Sequence, residues 1–209
     1  GIRAGVITDF ADAETSIIAA VNDAEKMADV TVDSVLIGLS GGGLSSRNVS
    51  VEMDLLGEEV SERDLMDIIE QGRGSFSSDD SEVLHCIPVN YYLDGAKGIQ
   101  DPRQMYGEKL GADLHIISAL SGTTRNLAHC AARCHLNVTE FIAAPYASAQ
   151  VCLEEDERQL GVTLIDMGGG TTSFSIFHAG RNVYTDVIPI GGAHVTNDIA
   201  KGLSTTIAH

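Results

Sequence analysis

The fold is decided by the stretch Gly161–Thr172, which runs Gly-Val-Thr-Leu-Ile-Asp-Met-Gly-Gly-Gly-Thr-Thr. Its apolar residues 162–165 have the length and the branched side chains of a buried strand. The strand ends at the carboxylate of Asp166, and three consecutive glycines follow at 168–170. Because a second apolar run comes directly afterwards at 174–177, the pattern predicts a strand, a tight turn and a returning strand.

The three glycines, called the glycine loop below, need a geometric reason, because they cost backbone entropy and contribute no packing. A turn without Cβ atoms exposes its N–H groups and lets a phosphate approach within hydrogen-bonding distance. Thr171 and Thr172 would add hydroxyl donors, and Asp166 could hold a Mg²⁺ ion through water. An ordinary hairpin with a flexible turn is the alternative that this stretch alone leaves open. No lysine follows the loop and no helix begins at it, which excludes a Walker-type loop and a Rossmann fingerprint.

The composition is typical of an acidic, globular α/β protein. The chain has 209 residues, of which 44% are apolar and 21% charged, and its formal net charge is −17. Such a charge repels nucleic-acid phosphates and no basic stripe is present, so we expect no nucleic-acid partner. No apolar run is long enough for a transmembrane helix and no signal peptide is recognisable, so the expected location is cytoplasmic.

A cluster of two cysteines and two histidines at 129–135 is a possible metal site. On a helix, Cys130 and Cys134 share a face, while the two flanking histidines point elsewhere. The two cysteines also continue the apolar face that begins at Leu127. We therefore predict buried thiols rather than a metal site.

The first part of the chain predicts a parallel α/β layer. Residues 1–9 have a strand pattern without a start signal, as expected of a piece of a longer chain. Asp12 is the predicted cap of a helix over 13–28, and a buried strand is predicted at 34–39.

From about residue 45 the pattern predicts an inserted α+β unit of roughly 75 residues, enough for a small core of its own. Alternating runs predict three or four strands, with an edge or a bulge at Pro88. A capping box at Ser61–Asp64 predicts the start of its helix, and Gly72 predicts the end of that helix.

The chain is then expected to return to the first layer. A helix is predicted at 123–135 with Thr123 as its cap, and Pro145 predicts the start of the next helix. The acidic run 154–157 is expected to be a solvated loop. After the glycine loop and its returning strand, a third strand is predicted at 183–190, followed by a further helix.

The segment Asp166-Met-Gly-Gly-Gly-Thr-Thr172 behind a buried strand resembles the second phosphate loop of the actin, sugar-kinase and chaperone ATPase superfamily. Within that superfamily, the chain resembles the FtsA family of bacterial cell-division proteins over essentially its whole length. The most specific segments are Ala144-Pro-Tyr-Ala-Ser-Ala149, Val187-Ile-Pro-Ile-Gly-Gly192 and His194-Val-Thr-Asn-Asp-Ile-Ala-Lys-Gly-Leu203. The implied fold is an α/β, actin-like (ribonuclease-H-like) ATPase domain, incomplete and with an inserted small α+β subdomain.

The resemblance also implies a division into subdomains and a site. Subdomain 1A would take residues 1–44 and 122–153, the inserted subdomain 1C residues 45–121, and the first part of subdomain 2A residues 154–209. The implied cofactors are ATP and Mg²⁺, with the metal held through water by Asp166. The expected cofactor-binding residues are Asp166, Gly168, Gly169, Gly170, Thr171, Thr172, Gly191 and Gly192.

The function that the resemblance implies is that of an ATP-binding adaptor in cell division. Such a protein polymerises, tethers the FtsZ ring to the inner face of the cytoplasmic membrane, and recruits later division proteins partly through subdomain 1C. The FtsZ-contacting subdomain and the membrane helix are expected outside this sequence. Two positions depart from the family, because Ala144 and Ser173 stand where members often carry Glu and Asp. Both departures favour an ATP-gated scaffold with at most weak ATPase activity.

A sugar or small-acid kinase of the same superfamily is the alternative function. Its catalytic base would have to come from Asp94 or Asp101, although both residues are also typical of turns. A chaperone-like or shape-determining relative should lack the inserted unit. His194 has two possible roles, contact with a nucleotide or a hydrogen bond at the start of a helix.

Overall fold

The computed structural model describes residues 1–76, 78 and 80–206. Its strands are β1 (Ile2–Arg3), β2 (Val6–Ile7), β3 (Ser34–Leu39), β4 (Ser45–Asp54), β5 (Ser81–Leu93), β6 (Ala96–Ile99), β7 (Lys109–Leu120), β8 (Asn137–Ala143), β9 (Val162–Met167), β10 (Thr172–His178) and β11 (Arg181–Ile188). Its helices are α1 (Phe10–Ala28), α2 (Glu62–Ser75), α3 (Ser121–Arg133), α4 (Ala144–Cys152), α5 (Glu155–Leu160) and α6 (Gly192–Gly202). Residues 207–209, the end of the range predicted for subdomain 2A, lie outside the described residues.

The predicted parallel layer is present as the pair β3–β8 with α1 and α3 beside it. The two strands pair from Ser34 opposite Asn137 to Leu39 opposite Ala143, with a shift of register between Val35 and Leu36. Leu39 and Ala143 are buried and pack against Leu127 of α3. The strand is present, but the prediction that it is buried holds for one face only, because Leu39 is buried and Ile37 packs against the same cluster, whereas Leu36 is 60% exposed.

Two predictions at the start of the chain are wrong. Residues 1–9 do not form one strand but the antiparallel hairpin β1–β2, which turns at Ala4 and Gly5 with φ of 48° and 77°. Gly5 adopts this left-handed conformation without the steric cost that a Cβ would bring. The cap of α1 is Asp9, not Asp12. Asp9 has the extended backbone conformation of a cap, and its side chain accepts the N–H of Asp12.

The inserted unit is a four-stranded antiparallel sheet in the order β4-β7-β5-β6, with α2 packed on one face. Its core is built from side chains of α2, of the strands β4, β5 and β7, and of the segment between β4 and α2. The buried members are Val51, Leu55, Val60, Ile68, Tyr91, Leu93, Leu110, Ala112 and Leu114. The bulge expected at Pro88 is confirmed, since the pairing of β5 with β7 shifts register between Pro88 and Asn90.

Helix α2 begins as predicted but ends later. The Ser61 hydroxyl accepts the Asp64 N–H at 3.3 Å, and the Asp64 carboxylate accepts the Ser61 N–H at 2.8 Å, which completes the capping box. The end predicted at Gly72 is wrong, because α2 continues to Ser75. Gly72 is buried, and a Cβ there would overlap Leu114. The glycine therefore allows α2 to pack closely on β7.

Both acids considered as catalytic bases are engaged within the inserted unit. The Asp94 carboxylate accepts the N–H groups of Glu108 and Lys109 at 3.0 and 2.8 Å. Asp101 forms an ion pair with Arg103, which lowers the pKa of Asp101 to about 2. Asp94 thus stabilises a turn, and Asp101 orients an arginine.

Helix α3 begins at Ser121 without a side-chain cap, so Thr123 is not its cap but a buried residue of its first turn. The thiol prediction is confirmed for Cys130, which is fully buried, whereas Cys134 is half-buried. Within the described residues, no group of three or more His, Cys, Asp and Glu side chains is arranged to hold a metal ion.

The expected loop at 154–157 is wrong, because the acidic run starts the short helix α5. Acidic side chains stabilise the first turn of a helix through its dipole. The Glu157 carboxylate also accepts the N–H of Glu154 at 2.9 Å. Arg158 then donates to the carbonyls of Ala149 and Leu153 at the end of α4, which ties the two helices together.

The strand, turn and returning strand predicted around the glycine loop are confirmed as β9 and β10, and β11 completes an antiparallel sheet in the order β11-β10-β9. The prediction that the first strand is buried is wrong, because β9 lies at the edge of this sheet and its Ile165 is 64% exposed. The third strand begins two residues earlier than predicted. The connecting turn contains only Ala179 and Gly180, which have φ of 49° and 75°. Among the described helices, none combines the length and the apolarity needed to cross a bilayer.

A buried polar network joins the inserted unit to β11. His115 of β7 is fully buried, and its Nδ1 and Nε2 atoms lie 2.7 Å from Asn48 Oδ1 and 3.3 Å from Thr185 Oγ1. Ser46 and Thr185 exchange two further bonds, from the Ser46 hydroxyl to the Thr185 carbonyl at 2.6 Å and from the Thr185 N–H back at 2.9 Å. The burial of His115 without a neighbouring acid lowers its pKa to about 4.

The stability of the chain should therefore depend on pH through His115. The unfolded ring has a pKa near 6.5 and the folded ring one of about 4, so the unfolded state binds the proton more tightly. The contribution of the neutral His115 ring to the free energy of unfolding is fully present above pH 6.5. It is lost as the pH falls toward 4, and the loss is on the order of 3 kcal/mol. Urea titrations of the native chain and of His115→Gln should differ most at pH 7 and converge at pH 4. A difference that is independent of pH would contradict this account.

Candidate functional site

A cleft of about 610 Å³ opens between the hairpin β1–β2 and the glycine loop. Three segments that are far apart in the sequence form its walls. They contribute Ile2, Arg3, Ala4 and Gly5 from the hairpin, Gly168, Gly169, Gly170 and Thr171 from the glycine loop and its following residue, and Pro189, Ala193, His194 and Asn197 from α6 and the residues before it. Ser40, directly after β3, also lines the cleft. The glycine loop therefore lies on a cleft and not in a crowded core.

The glycine loop is held in place by its own carbonyl groups. The Gly168 N–H donates to the Thr171 carbonyl at 2.9 Å, which closes the turn. The Gly168 and Gly169 carbonyls accept the N–H groups of Gly192 and Ala193, each at 2.9 Å. These bonds cap the first turn of α6 and fix the loop against it.

The packing of the chain does not explain why Gly169 and Gly170 are glycines. Neither residue has a positive φ. A Cβ on Gly169 would meet no atom within 4 Å, and one on Gly170 would meet only Ala4 N, at 3.7 Å. In the described residues, the N–H groups of Gly169 and Gly170 have no protein acceptor. Open space beside two unused donors is what a phosphate oxygen requires, so the loop fits a phosphate group.

The second glycine pair has a different role in this structure. The Gly191 N–H donates to His194 Nδ1 at 3.1 Å, and the Gly192 N–H is bound to the glycine loop. A Cβ on Gly191 would overlap the Gly168 carbonyl. Gly191 thus allows α6 to approach the loop closely, whereas a Cβ on Gly192 would lie 3.8 Å from the Gly168 carbonyl oxygen, an ordinary contact. The binding of a cofactor by Gly191 and Gly192 stays a prediction. His194 both makes the hydrogen bond expected at a helix start and lines the cleft.

The two hydroxyl groups and the carboxylate predicted for the site do not all line the cleft. Thr171 lines the cleft, whereas the Thr172 hydroxyl donates to the Ile190 carbonyl at 2.7 Å. Asp166 lies on the face of β9 that packs against α4, where its carboxylate accepts the Ser148 hydroxyl at 3.5 Å. It is not among the residues that line the cleft. Its role as a Mg²⁺ ligand through water stays a prediction.

Ser173 lies directly opposite Asp166 in the register of β9 and β10. The residue is buried, with a relative exposure of 1%, and its hydroxyl has no hydrogen-bond partner in the described part of the chain. A carboxylate at this position would lie next to Asp166. The serine keeps the charge at this position lower.

Sequence reasoning missed several residues of the cleft. Arg3, Ser40 and Asn197 line it, but none of them was predicted as a site residue, and Asn197 stood only within a segment that resembles the family. The only available signal was the glycine triplet that ends β3, because the N–H of Gly42 donates to the Ala4 carbonyl at 3.0 Å and supports the hairpin.

Two family models match the chain. The model "SHS2 domain inserted in FTSA" matches residues 41–118, and the model "Cell division protein FtsA" matches residues 163–209. The first range contains the inserted sheet and α2, and the second contains the glycine loop and the cleft wall at α6.

The chain belongs to the FtsA family.

Curated relatives agree with this assignment. The cell division protein FtsA of Agrobacterium fabrum is 44% identical over 207 residues, which cover 99% of this chain and 47% of the relative. Those of Pseudomonas aeruginosa and Escherichia coli are 35% and 34% identical over 205 residues, which cover 98% of this chain and 49% of each relative. The chain thus spans about half the length of the curated FtsA proteins that it matches.

Solved structures show the fold of this FtsA-family chain. A chain of the PilM–PilN type IV pilus biogenesis complex matches with a TM-score of 0.68 and 13% identity, over 99% of this chain and 56% of its own. The ethanolamine utilization protein EutJ of Carboxydothermus hydrogenoformans matches with a TM-score of 0.51 and 12% identity, over 99% of this chain and 46% of its own. The predicted actin-like ATPase fold is confirmed.

Proposed function

We propose that the chain is part of an ATP-binding, actin-like cell-division protein, and that the glycine loop binds the terminal phosphates of ATP. The observation that carries this proposal is the pair of unused N–H groups at Gly169 and Gly170, beside open space in a cleft of about 610 Å³. Family membership supports it, because the loop lies within the range 163–209 that matches FtsA.

The residues that line the cleft fit the phosphate groups of ATP, whereas Asp166, the proposed ligand of Mg²⁺, is not among them. Gly169 and Gly170 would donate to phosphate oxygens, and Thr171 would add a hydroxyl at the rim of the cleft. A Mg²⁺ ion would neutralise phosphate charge, and Asp166 is the residue proposed to hold it through water. Gly191 and Gly192 would keep α6 against the loop, so that the two donors stay aimed into the cleft.

The proposal includes at most slow hydrolysis. Ala144 begins α4 at the position where an acid would orient the attacking water, and a methyl group cannot accept a proton. Asp94 and Asp101 are both bound within the inserted unit, so neither offers a free base for a kinase reaction. These features favour an ATP-gated adaptor over a phosphotransferase.

The wider role that we propose is the one described for the resemblance. The full-length protein would polymerise, tether the FtsZ ring to the inner face of the cytoplasmic membrane, and recruit later division proteins through the inserted unit. The subdomain ranges 1A, 1C and 2A given above are part of this proposal. The inserted sheet supports the 1C assignment, because it has its own core and its own helix.

Sedimentation of the full-length protein tests this function. We expect polymers that pellet with ATP and Mg²⁺ and that do not pellet without nucleotide. A panel of sugars added in the same buffer distinguishes the adaptor from a sugar kinase, because a kinase would consume ATP in proportion to one added sugar. Sugar-dependent ATP consumption without polymers would overturn the adaptor function.

A further inference from the structure

The wall of the cleft differs in charge from the rest of the molecule. The chain carries 30 Asp and Glu residues against 13 Lys and Arg residues. Among the described residues that line the cleft, none is acidic and Arg3 is the one permanent cation. In a protein with a net charge of −17, an anionic ligand needs such a local exception to overcome repulsion.

Arg3 is placed opposite the glycine loop. It belongs to β1 and directly precedes Ala4, whose N atom lies 3.7 Å from the position that a Cβ on Gly170 would take. The hairpin therefore approaches the loop at the residue next to Arg3. The side chain of Arg3 is exposed, and it forms no ion pair with the residues that the structure describes.

An arginine in this position is well suited to bind a phosphate group. Its planar guanidinium group donates two parallel hydrogen bonds to phosphate oxygens and keeps its charge at any physiological pH. The N–H groups of Gly169 and Gly170 supply hydrogen bonds but carry no net charge. A site with only those donors would leave most of the phosphate charge uncompensated on this side of the cleft.

We propose that Arg3 contacts the phosphate chain of the bound nucleotide and closes the phosphate site on the hairpin side of the cleft, opposite the glycine loop. This inference rests on the proposed function. It adds a specificity-determining residue: the guanidinium group selects for nucleotides that carry a phosphate chain and contributes nothing to the recognition of adenosine alone.

Calorimetric titration of the full-length protein with Mg²⁺–ATP, Mg²⁺–ADP and adenosine tests this inference. We expect Arg3→Gln to weaken ATP binding at least tenfold and to leave adenosine binding within twofold of wild type. Arg3→Lys keeps the charge but loses the bidentate geometry, so its loss should be intermediate. The matched control is Arg125→Gln, an exposed arginine of α3 that does not line the cleft, and it should bind ATP as wild type does. Because Arg3 is exposed, the thermal midpoint without nucleotide should not change.

The outcomes separate the two proposals. Wild-type binding together with equal ATP affinity in Arg3→Gln overturns the role of Arg3 and leaves the nucleotide site intact. Equal losses in Arg3→Gln and Arg125→Gln also overturn it, because they indicate a general charge effect. A wild-type protein that binds no nucleotide overturns the proposed function, and the inference about Arg3 with it.

Discussion

Replacement of Gly169 by valine should weaken ATP binding by the full-length protein about a hundredfold, which corresponds to roughly 2.7 kcal/mol. The added methyl groups would fill the open space beside the two unused N–H groups and keep a phosphate from reaching them. The fold should tolerate the change. Gly169 has no positive φ, and its Cβ would meet no atom within 4 Å.

The control for this variant is Gly122→Val. Gly122 lies in the first turn of α3, and a Cβ there also meets no atom within 4 Å. Both variants should unfold within about 1 kcal/mol of wild type, while only Gly169→Val should lose ATP affinity. If Gly169→Val bound ATP as tightly as Gly122→Val does, the loop would not be the phosphate site.

Replacement of Leu114 by alanine should lower the free energy of unfolding by about 3–5 kcal/mol. Leu114 is fully buried in the core of the inserted unit, and α2 packs on it at Gly72. The substitution removes buried methyl groups and leaves a cavity that the sheet cannot close. Denaturation in urea measures the loss, and the exposed Leu56, changed to alanine, provides the control within about 0.5 kcal/mol of wild type.

A double-mutant cycle makes this prediction specific to the contact between α2 and β7. Gly72→Ala alone should destabilise the chain, because its methyl group would overlap Leu114. In the Leu114→Ala background the same methyl group finds space, and alanine favours the helix by about 1 kcal/mol over glycine. The second substitution should therefore stabilise the first variant. Additive losses would show that the two residues do not pack as described.

The parts of this structure that the sequence predicted well depend on short-range chemistry. The capping box of Ser61 and Asp64 involves residues three positions apart, and both partners are visible in the sequence. The β9–β10 hairpin depends on two apolar runs and the glycines between them, and both strands lie where the pattern placed them. The inserted unit was recognised because alternation and turn residues repeat over its whole length.

The errors arose where two residues offered the same local chemistry or where tertiary contact decided. Asp9 and Asp12 are both suitable cap residues, and only the backbone conformation of Asp9, which is extended, shows that it is the cap. Gly72 has the sequence pattern of a helix end, but its small size serves packing against Leu114, which lies in a distant strand. No local pattern could show this contact.

The candidate site was predictable only in part for the same reason. The glycine loop carries its own signal, because three glycines have no local structural use. Arg3 was not predicted as a site residue, since it reaches the cleft only through the turn of a hairpin some 165 residues before the loop. The engagement of Thr172 and Gly192 by protein acceptors also depends on how α6 packs, which the sequence does not state.

The central claim is tested most directly by the amide chemical shifts of Gly169 and Gly170 in the full-length protein. NMR spectra follow these shifts as Mg²⁺–ATP is added to one sample and adenosine to another. The account predicts large shifts of both amides with ATP and none with adenosine, because both N–H groups would donate to phosphate oxygens. ATP binding that leaves both amides unshifted would contradict it.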